Sequence, residues 1–133
     1  MRHVMLIVLL AATAACHLQA GTPTPYPTPD VPSVSFQSPA NNDSFPEGTD
    51  LTIALLAEDP GVGVSRVELL VDDVHYRDAN PEISAAVPVF TVTLNWLAEG
   101  VGYHSLTAIA YRPNGAASRQ ETIIIEVTRA DDA

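Results

Sequence analysis

The chain has 133 residues, of which 47% are hydrophobic and 17% are charged, and its formal net charge at neutral pH is −10. It has no lysine, and its 6 Lys and Arg residues are all arginines, which argues against nucleic acid as a partner because phosphate binding needs clustered cations. A single cysteine excludes an intramolecular disulfide, and the length allows one compact domain.

The chain begins with a segment typical of a secretory signal. Residues 1–3 form a short basic start, residues 4–12 are an apolar run, and small residues then lead to Cys16. The apolar run has about half of the ~20 residues that a helix needs to cross a bilayer, so a membrane-spanning helix is not expected here. We therefore predict a signal peptide at residues 1–15 and export of the mature protein.

The end of this segment, Thr13-Ala14-Ala15-Cys16, resembles the lipobox of bacterial lipoproteins, in which the cysteine is acylated and becomes the new N-terminus. The resemblance implies a lipid on Cys16 and a membrane anchor formed by its acyl chains. Acylation would also explain the single thiol, which is otherwise a liability in an oxidising compartment. The alternative is cleavage after Ala14, which would release a soluble secreted protein. Both routes predict an extracytoplasmic location, and lipidation predicts attachment at the cell surface.

Residues 16–32 are predicted to form a tether after the lipidated cysteine. Prolines alternate with Thr and Tyr between residues 23 and 29, and such a tract favours an extended polyproline II helix of about 3.1 Å per residue. The tether would therefore span on the order of 50 Å. It would hold an acidic domain away from anionic lipid headgroups.

From residue 33 onward, β-branched and aromatic residues alternate with polar ones, and Gly, Pro, Asn and Asp separate the alternating stretches. This pattern predicts an all-β fold, a seven-stranded antiparallel β-sandwich at residues 33–129, followed by an acidic tail at 130–133. The predicted strands are residues 33–37, 50–58, 64–71, 74–77, 89–96, 103–112 and 119–129. Alternation predicts these inward-facing residues: Leu51, Ile53, Leu55, Val67, Leu69, Val71, Phe90, Val92, Leu94, Trp96, Leu106, Ala108, Ala110, Ile123, Ile125 and Val127.

Several motifs of this region resemble those of bacterial Ig-like domains. They are Ser38-Pro39-Ala40-Asn41 before the turn at Gly48, residues 67–72 as the third strand, and Trp96 followed by residues 102–111 and Asn114-Gly115. The resemblance covers residues 33–129 and implies an Ig-like sandwich. One departure is Arg112, which stands where the family commonly has Asp. Domains of this family serve as spacers, stalks, and adhesion or glycan-binding modules, so the resemblance implies a fold and no single function.

The residues that could carry chemistry are few. No Gly-x-Ser-x-Gly motif is present, Cys16 lies outside the predicted domain, and His75 and His104 fall on different strands. We therefore expect no enzyme, no cofactor and no zinc site.

Calcium is a better candidate than zinc, because Asp72, Asp73 and Asp78 cluster around one predicted hairpin, and Glu58 and Asp59 approach a loop. Carboxylate oxygens are the ligands that calcium prefers. No Asp-x-Asp-x-Asp-Gly loop is present, so we favour a solvated acidic turn and predict no metal site.

A possible partner surface follows from the outward-facing positions. Alternation predicts that Leu70, Ile109, Tyr111 and Ile124 face away from the core on neighbouring strands, where they would form an exposed apolar stripe. The alternative is that β-branched and aromatic residues suit the outer face of a sheet without binding anything.

The sequence thus predicts a non-enzymatic cell-envelope lipoprotein that displays an Ig-like binding or structural module on a Pro-rich tether. Its expected partners are the membrane, through the lipid anchor, and an envelope protein or glycan bound by the apolar stripe or by the loops at residues 59–63 and 79–86. The alternative is a glycan-binding accessory module, secreted or surface-attached, for which Tyr76, Tyr103 and Tyr111 are candidate stacking platforms.

Overall fold

A computed structural model describes residues 21–23 and 31–132. The predicted signal peptide, Cys16 and most of the tether lie outside the described residues, and no helix within them is long and apolar enough to span a bilayer. The described chain forms eight strands and one short 3-10 helix: β1 (Ser33–Ser38), β2 (Ser44–Pro46), β3 (Asp50–Glu58), β4 (Arg66–Val71), β5 (Val74–Ala79), β6 (Val89–Leu97), β7 (Gly102–Tyr111), β8 (Glu121–Thr128) and the helix Ala130–Asp132.

The strands form two sheets, which confirms the predicted all-β sandwich. The three-stranded sheet has the order β1-β3-β6, and the five-stranded sheet has the order β2-β8-β7-β4-β5. Neighbouring strands are antiparallel except for β2 and β8, which are parallel. Strand β2 accounts for the eighth strand. It is only three residues long and ends in Pro46, so it has no alternation that a sequence pattern could detect.

The core lies between the two sheets and consists largely of the residues that alternation predicted. All of the predicted inward-facing residues are buried except Val71 and Phe90, which are half-buried and pack against the edge of the core. Trp96 is 7% exposed and is a core residue. The alternation was sufficient here because a strand places every second side chain on the same face.

The two ends of the sandwich carry different loops. Strand β1 starts at Ser33, which is paired with Glu58 at the end of β3, so the chain enters the domain at the end that carries the loops at residues 59–65, 80–88 and 112–120. We call this the N-terminal end. The opposite end carries the turns at residues 47–49, 72–73 and 98–101.

Candidate functional site

The sequence predicts a partner surface on the outer face of the five-stranded sheet. Strands β4, β7 and β8, which carry the four predicted residues, are adjacent in this sheet, as the prediction required. On this face, register places Arg66 opposite Tyr111 and Glu68 opposite Ile109. Charged residues of β4 therefore lie directly beside the predicted apolar residues of β7.

These charged residues form a connected network over the face. The Arg66 guanidinium lies 3.9 Å from the centroid of the Tyr111 ring, and the Tyr111 hydroxyl donates a hydrogen bond of 2.7 Å to the Glu68 carboxylate. Arg66 is also 3.1 Å from Asp78 and 3.7 Å from Glu68, and His75 is 3.3 Å from Asp78. Burial raises the pKa of the Tyr111 hydroxyl, and the hydrogen bond to Glu68 raises it further.

The prediction of one exposed apolar stripe is wrong at Ile109. This side chain is only 7% exposed because it lies in the middle strand of the face, opposite Glu68 and next on the same face to Tyr111, whose long side chains belong to the network. Leu70 and Tyr111 are half-buried, and Ile124 is 38% exposed. The outer face is therefore covered largely by the charged network, and Ile124 lies beside it on a neighbouring strand. The four residues of the predicted stripe do not form a continuous apolar surface.

The carboxylates considered for calcium do not gather at one point. Asp72 and Asp73 occupy the turn between β4 and β5, whereas Asp78 lies further along β5 opposite Glu68. Within the described ranges, Glu68, His75 and Asp78 each bring one ligand-type atom to within 4.8 Å of the others. The Arg66 guanidinium already contacts both carboxylates of this group. Because Arg66 supplies the positive charge that a metal ion would bring, the group does not support a metal site.

A buried ion pair holds one of the predicted binding loops. Asp59 is 1% exposed, and the Arg112 side chain approaches it with Nε at 2.6 Å from Oδ2 and with its terminal nitrogen at 3.1 Å from Oδ1. The hydrogen bonds from Arg112 lower the pKa of the Asp59 carboxyl, and they outweigh burial, which acts in the opposite direction. The pair fastens the loop at residues 59–63 to the end of β7, so Arg112 has a structural role at the position where the resemblance leads one to expect Asp.

The two predicted loops are also joined to each other. Val64 and Val87 exchange two main-chain hydrogen bonds, of 2.7 and 3.0 Å. Gly63 precedes this bridge with a φ of +103°, and a Cβ on it would lie 3.0 Å from the Cβ of Ala86, so the close approach of the loops requires glycine at this position. Beside the bridge, an open cleft of about 430 Å³ is lined by Asn80, Ile83, Val89 and neighbouring residues.

At the opposite end, His104 joins two turns. Its Nδ1 lies 2.7 Å from the Asp72 carboxylate and its Nε2 lies 2.5 Å from the Gly100 carbonyl oxygen, while its ring centroid is 5.4 Å from that of Trp96. Both neighbours accept hydrogen bonds, so only the doubly protonated imidazolium can donate to both. Burial lowers the pKa of His104, but the hydrogen bonds to Gly100 and Asp72 together outweigh burial and raise it above 6.5.

This arrangement predicts that the stability of the domain depends on pH through His104. A histidine whose pKa is higher in the folded state contributes its full stabilisation below the unfolded value of about 6.5 and loses it as the pH rises through the folded value. We expect the free energy of unfolding to fall above pH 6.5 in the native chain and to be flatter in His104→Gln. Urea denaturation between pH 5.5 and about 9 measures this difference. Equal profiles for the native chain and His104→Gln would refute the role of His104.

Comparison with known proteins gives one family and several structural relatives. A family model described as a bacterial Ig domain matches residues 32–108. The fibronectin(III)-like modules of Clostridium thermocellum CbhA are similar in structure, with 27% identity, a TM-score of 0.63, and coverage of 76% of this chain and 48% of that one. The chain therefore spans about half the length of that structure. No curated protein matches the sequence.

Two further structures are similar at lower identity. The SrpA adhesin of Streptococcus sanguinis has 15% identity and a TM-score of 0.55, with 77% of this chain and 57% of that one covered. The PKD domain of a peptidase from a Thermoplasmatales archaeon has 15% identity and a TM-score of 0.54, with coverage of 74% and 94%. At these identities the similarity extends to the fold alone.

Proposed function

Because the chain belongs to the bacterial Ig domain family, we propose that it serves as a non-enzymatic binding or structural module, held at the cell envelope by a lipid on Cys16. The observation that carries the anchoring part is the position of the single cysteine, directly after a short apolar run and small residues and directly before a Pro-rich tract. The CbhA modules and the SrpA adhesin support the module part, since in both cases the matched region is only part of a longer chain.

The direction of β1 indicates how the domain would be oriented relative to the membrane. A tether that joins the domain before Ser33 attaches at the N-terminal end, so the opposite end would point away from the membrane. That opposite end carries exposed carboxylates: Glu47, Asp50, Asp72, Asp73 and Glu99. Anionic headgroups would repel this end, which favours a domain that projects from the membrane over one that lies on it.

The loops predicted to bind a partner would then face the membrane side. The loops at residues 59–63 and 79–86 both lie at the N-terminal end, where the Asp59–Arg112 pair and the Val64–Val87 bridge hold them in place. These contacts hold the bases of the loops, which suits a structural role at the attached end of a stalk.

The alternative of a glycan-binding accessory module has one observation in its favour. Tyr103 on β7 is 76% exposed and offers an aromatic face to a sugar ring, whereas the Tyr111 ring is covered by Arg66. Retention on a cell-wall glycan column, compared between the native chain and Tyr103→Ala, separates the two proposals.

Lipid anchoring is tested by replacing Cys16 with serine. In a host that processes lipoproteins, we expect the native protein to gain the mass of its acyl chains and to partition into detergent with the membrane fraction, and we expect Cys16→Ser to lose both properties because the hydroxyl is not acylated. Intact-mass spectrometry and detergent partitioning measure the two effects. Thr22→Ser in the tether is the matched control and should behave as the native chain. Release of native and Cys16→Ser proteins alike, without added mass, would contradict the anchor.

A further inference from the structure

The two sheets leave four edge strands, and three of them carry features that prevent pairing with another chain. Strand β1 has a bulge between Phe36 and Ser38, strand β2 has only three residues and ends in Pro46, and strand β5 has an irregular register with β4 and is rich in charged residues. Short length, proline, bulges and charges are the usual means by which proteins protect a sheet edge.

Strand β6 is the exception. It is nine residues long, with the sequence VFTVTLNWL, and it pairs with β3 along its whole length without a register shift. It contains no charged residue, no proline and no glycine, although the chain as a whole has a net charge of −10. A long, uncharged edge without a bulge is a template for strand addition.

The main-chain groups that β6 presents at this edge follow from its pairing. Ala98 N donates to Thr49 O, and Asp59 N donates to Pro88 O, so residues of β6 with even numbers bond to β3. In an antiparallel ladder the direction alternates, and residues 89, 91, 93, 95 and 97 therefore direct their N–H and C=O groups outward. Among the described residues, one contact to these groups is present, from the Tyr76 hydroxyl to the Asn95 carbonyl, which has a second lone pair to offer.

The order of side chains along β6 indicates which strand would fit this edge. The classes of side chain along β6 are symmetric about Thr93. Each residue on one side of Thr93 has a counterpart of the same class at the same distance on the other side. The counterparts are Val89 with Leu97, Phe90 with Trp96, Thr91 with Asn95, and Val92 with Leu94. A strand with this symmetry is complementary to a second copy of itself in the antiparallel direction.

We propose that β6 pairs with β6 of a second copy of this chain about a two-fold axis at Thr93, which joins the two three-stranded sheets into one. In this register the outward main-chain groups of each copy meet those of the other, and Thr93 lies opposite its own symmetry mate. The exposed Val89 and Leu97 of the two copies, at 55% and 47% exposure, become neighbours, beside the cleft that carries the 98% exposed Ile83. All of the pairing contacts lie within residues 89–97, so the inference does not depend on lipid anchoring.

Cysteine cross-linking tests the register directly, in the full chain with Cys16→Ser so that no other thiol is present. Opposite residues of such a pair have Cα atoms about 5.5 Å apart, which is within the range for a disulfide. Thr93→Cys should therefore form a covalent dimer under mild oxidation. Thr91→Cys is the matched control, because the two copies of residue 91 would be about 14 Å apart and should remain unlinked. Circular dichroism confirms that both variants keep the fold.

A second measurement uses charge and needs no thiol. Thr93→Lys places two ammonium groups opposite each other at the axis and should raise the dissociation constant of the dimer in sedimentation experiments by about tenfold or more. Thr52→Lys on the middle strand of the same sheet should leave association unchanged. Added salt should strengthen the native dimer, since it screens the repulsion between two acidic domains. If Thr93→Cys gives no covalent homodimer, or if Thr91→Cys links equally well, the proposal is overturned, and an extended peptide of another protein becomes the better occupant of the edge.

Discussion

Replacing Arg112 with methionine is expected to lower the free energy of unfolding by about 3–5 kcal/mol. The change keeps the length of the side chain but removes the guanidinium that donates to both carboxylate oxygens of Asp59, and Asp59 is only 1% exposed. A buried carboxylate that loses its cation pays the cost of desolvation without compensation. Equilibrium urea denaturation followed by circular dichroism measures the loss.

Two further variants separate the buried charge from simple loss of contacts. Asp59→Asn combined with Arg112→Met removes both charges and should recover most of the stability lost in the single variant. Asp78→Ala removes the exposed partner of Arg66 and should cost about 1 kcal/mol or less, since exposed ion pairs are screened by solvent. A loss in Arg112→Met no larger than that in Asp78→Ala would show that the buried pair contributes little.

The pH dependence of the same pair has a definite sign. The pKa of Asp59 is lower in the folded protein than the ordinary value of 3.8, because Arg112 donates hydrogen bonds to the carboxylate. Its contribution to stability is therefore present above pH 3.8 and is lost as the pH falls through the folded value. We therefore expect the loss of stability caused by Arg112→Met to shrink as the pH falls, because protonation of Asp59 removes the stabilising pair from the native chain and the uncompensated buried charge from the variant. Urea denaturation of both chains from neutral to acid pH measures this change.

The fold could be predicted from the sequence because it depends on a local pattern. Alternation with a period of two fixes which face of a strand is apolar, and the long strands β3, β6 and β7 display it clearly. Strand β2 has too few residues to alternate, and its position beside β8 is set by contacts with residues about 80 positions away in the sequence.

The details of the candidate sites could not be predicted in the same way because they depend on which strands become neighbours. Asp59 and Arg112 are separated by 53 residues, and neither carries a local signal of its partner. The exposure of Ile109 depends on Glu68, which only the register of β4 and β7 brings opposite to it. The absence of charged residues from β6 can be read from the sequence. The position of β6 at the edge of a sheet follows only from the strand order.

Two isoleucines on the outer face are expected to differ strongly in how much each contributes to the free energy of unfolding. Ile109→Ala should lower the free energy of unfolding by about 2–5 kcal/mol, because the side chain is 7% exposed and its removal leaves a cavity beneath the charged network. Ile124→Ala on the adjacent strand should cost about 1 kcal/mol or less, since that side chain is 38% exposed and water can replace the lost methyl groups. Urea denaturation of the two variants side by side measures the difference.

The same pair of variants decides what the outer face of the five-stranded sheet is. A large loss for Ile109→Ala means that the face has a small core of its own under Arg66, Glu68 and Tyr111, and that an apolar partner cannot reach Ile109 without displacing the network. Equal, small losses for both variants would mean that the network does not cover Ile109 in solution, and the apolar stripe would again be available as a partner surface. A binding role for this face therefore depends on Ile109 more than on Ile124, although only Ile124 is well exposed.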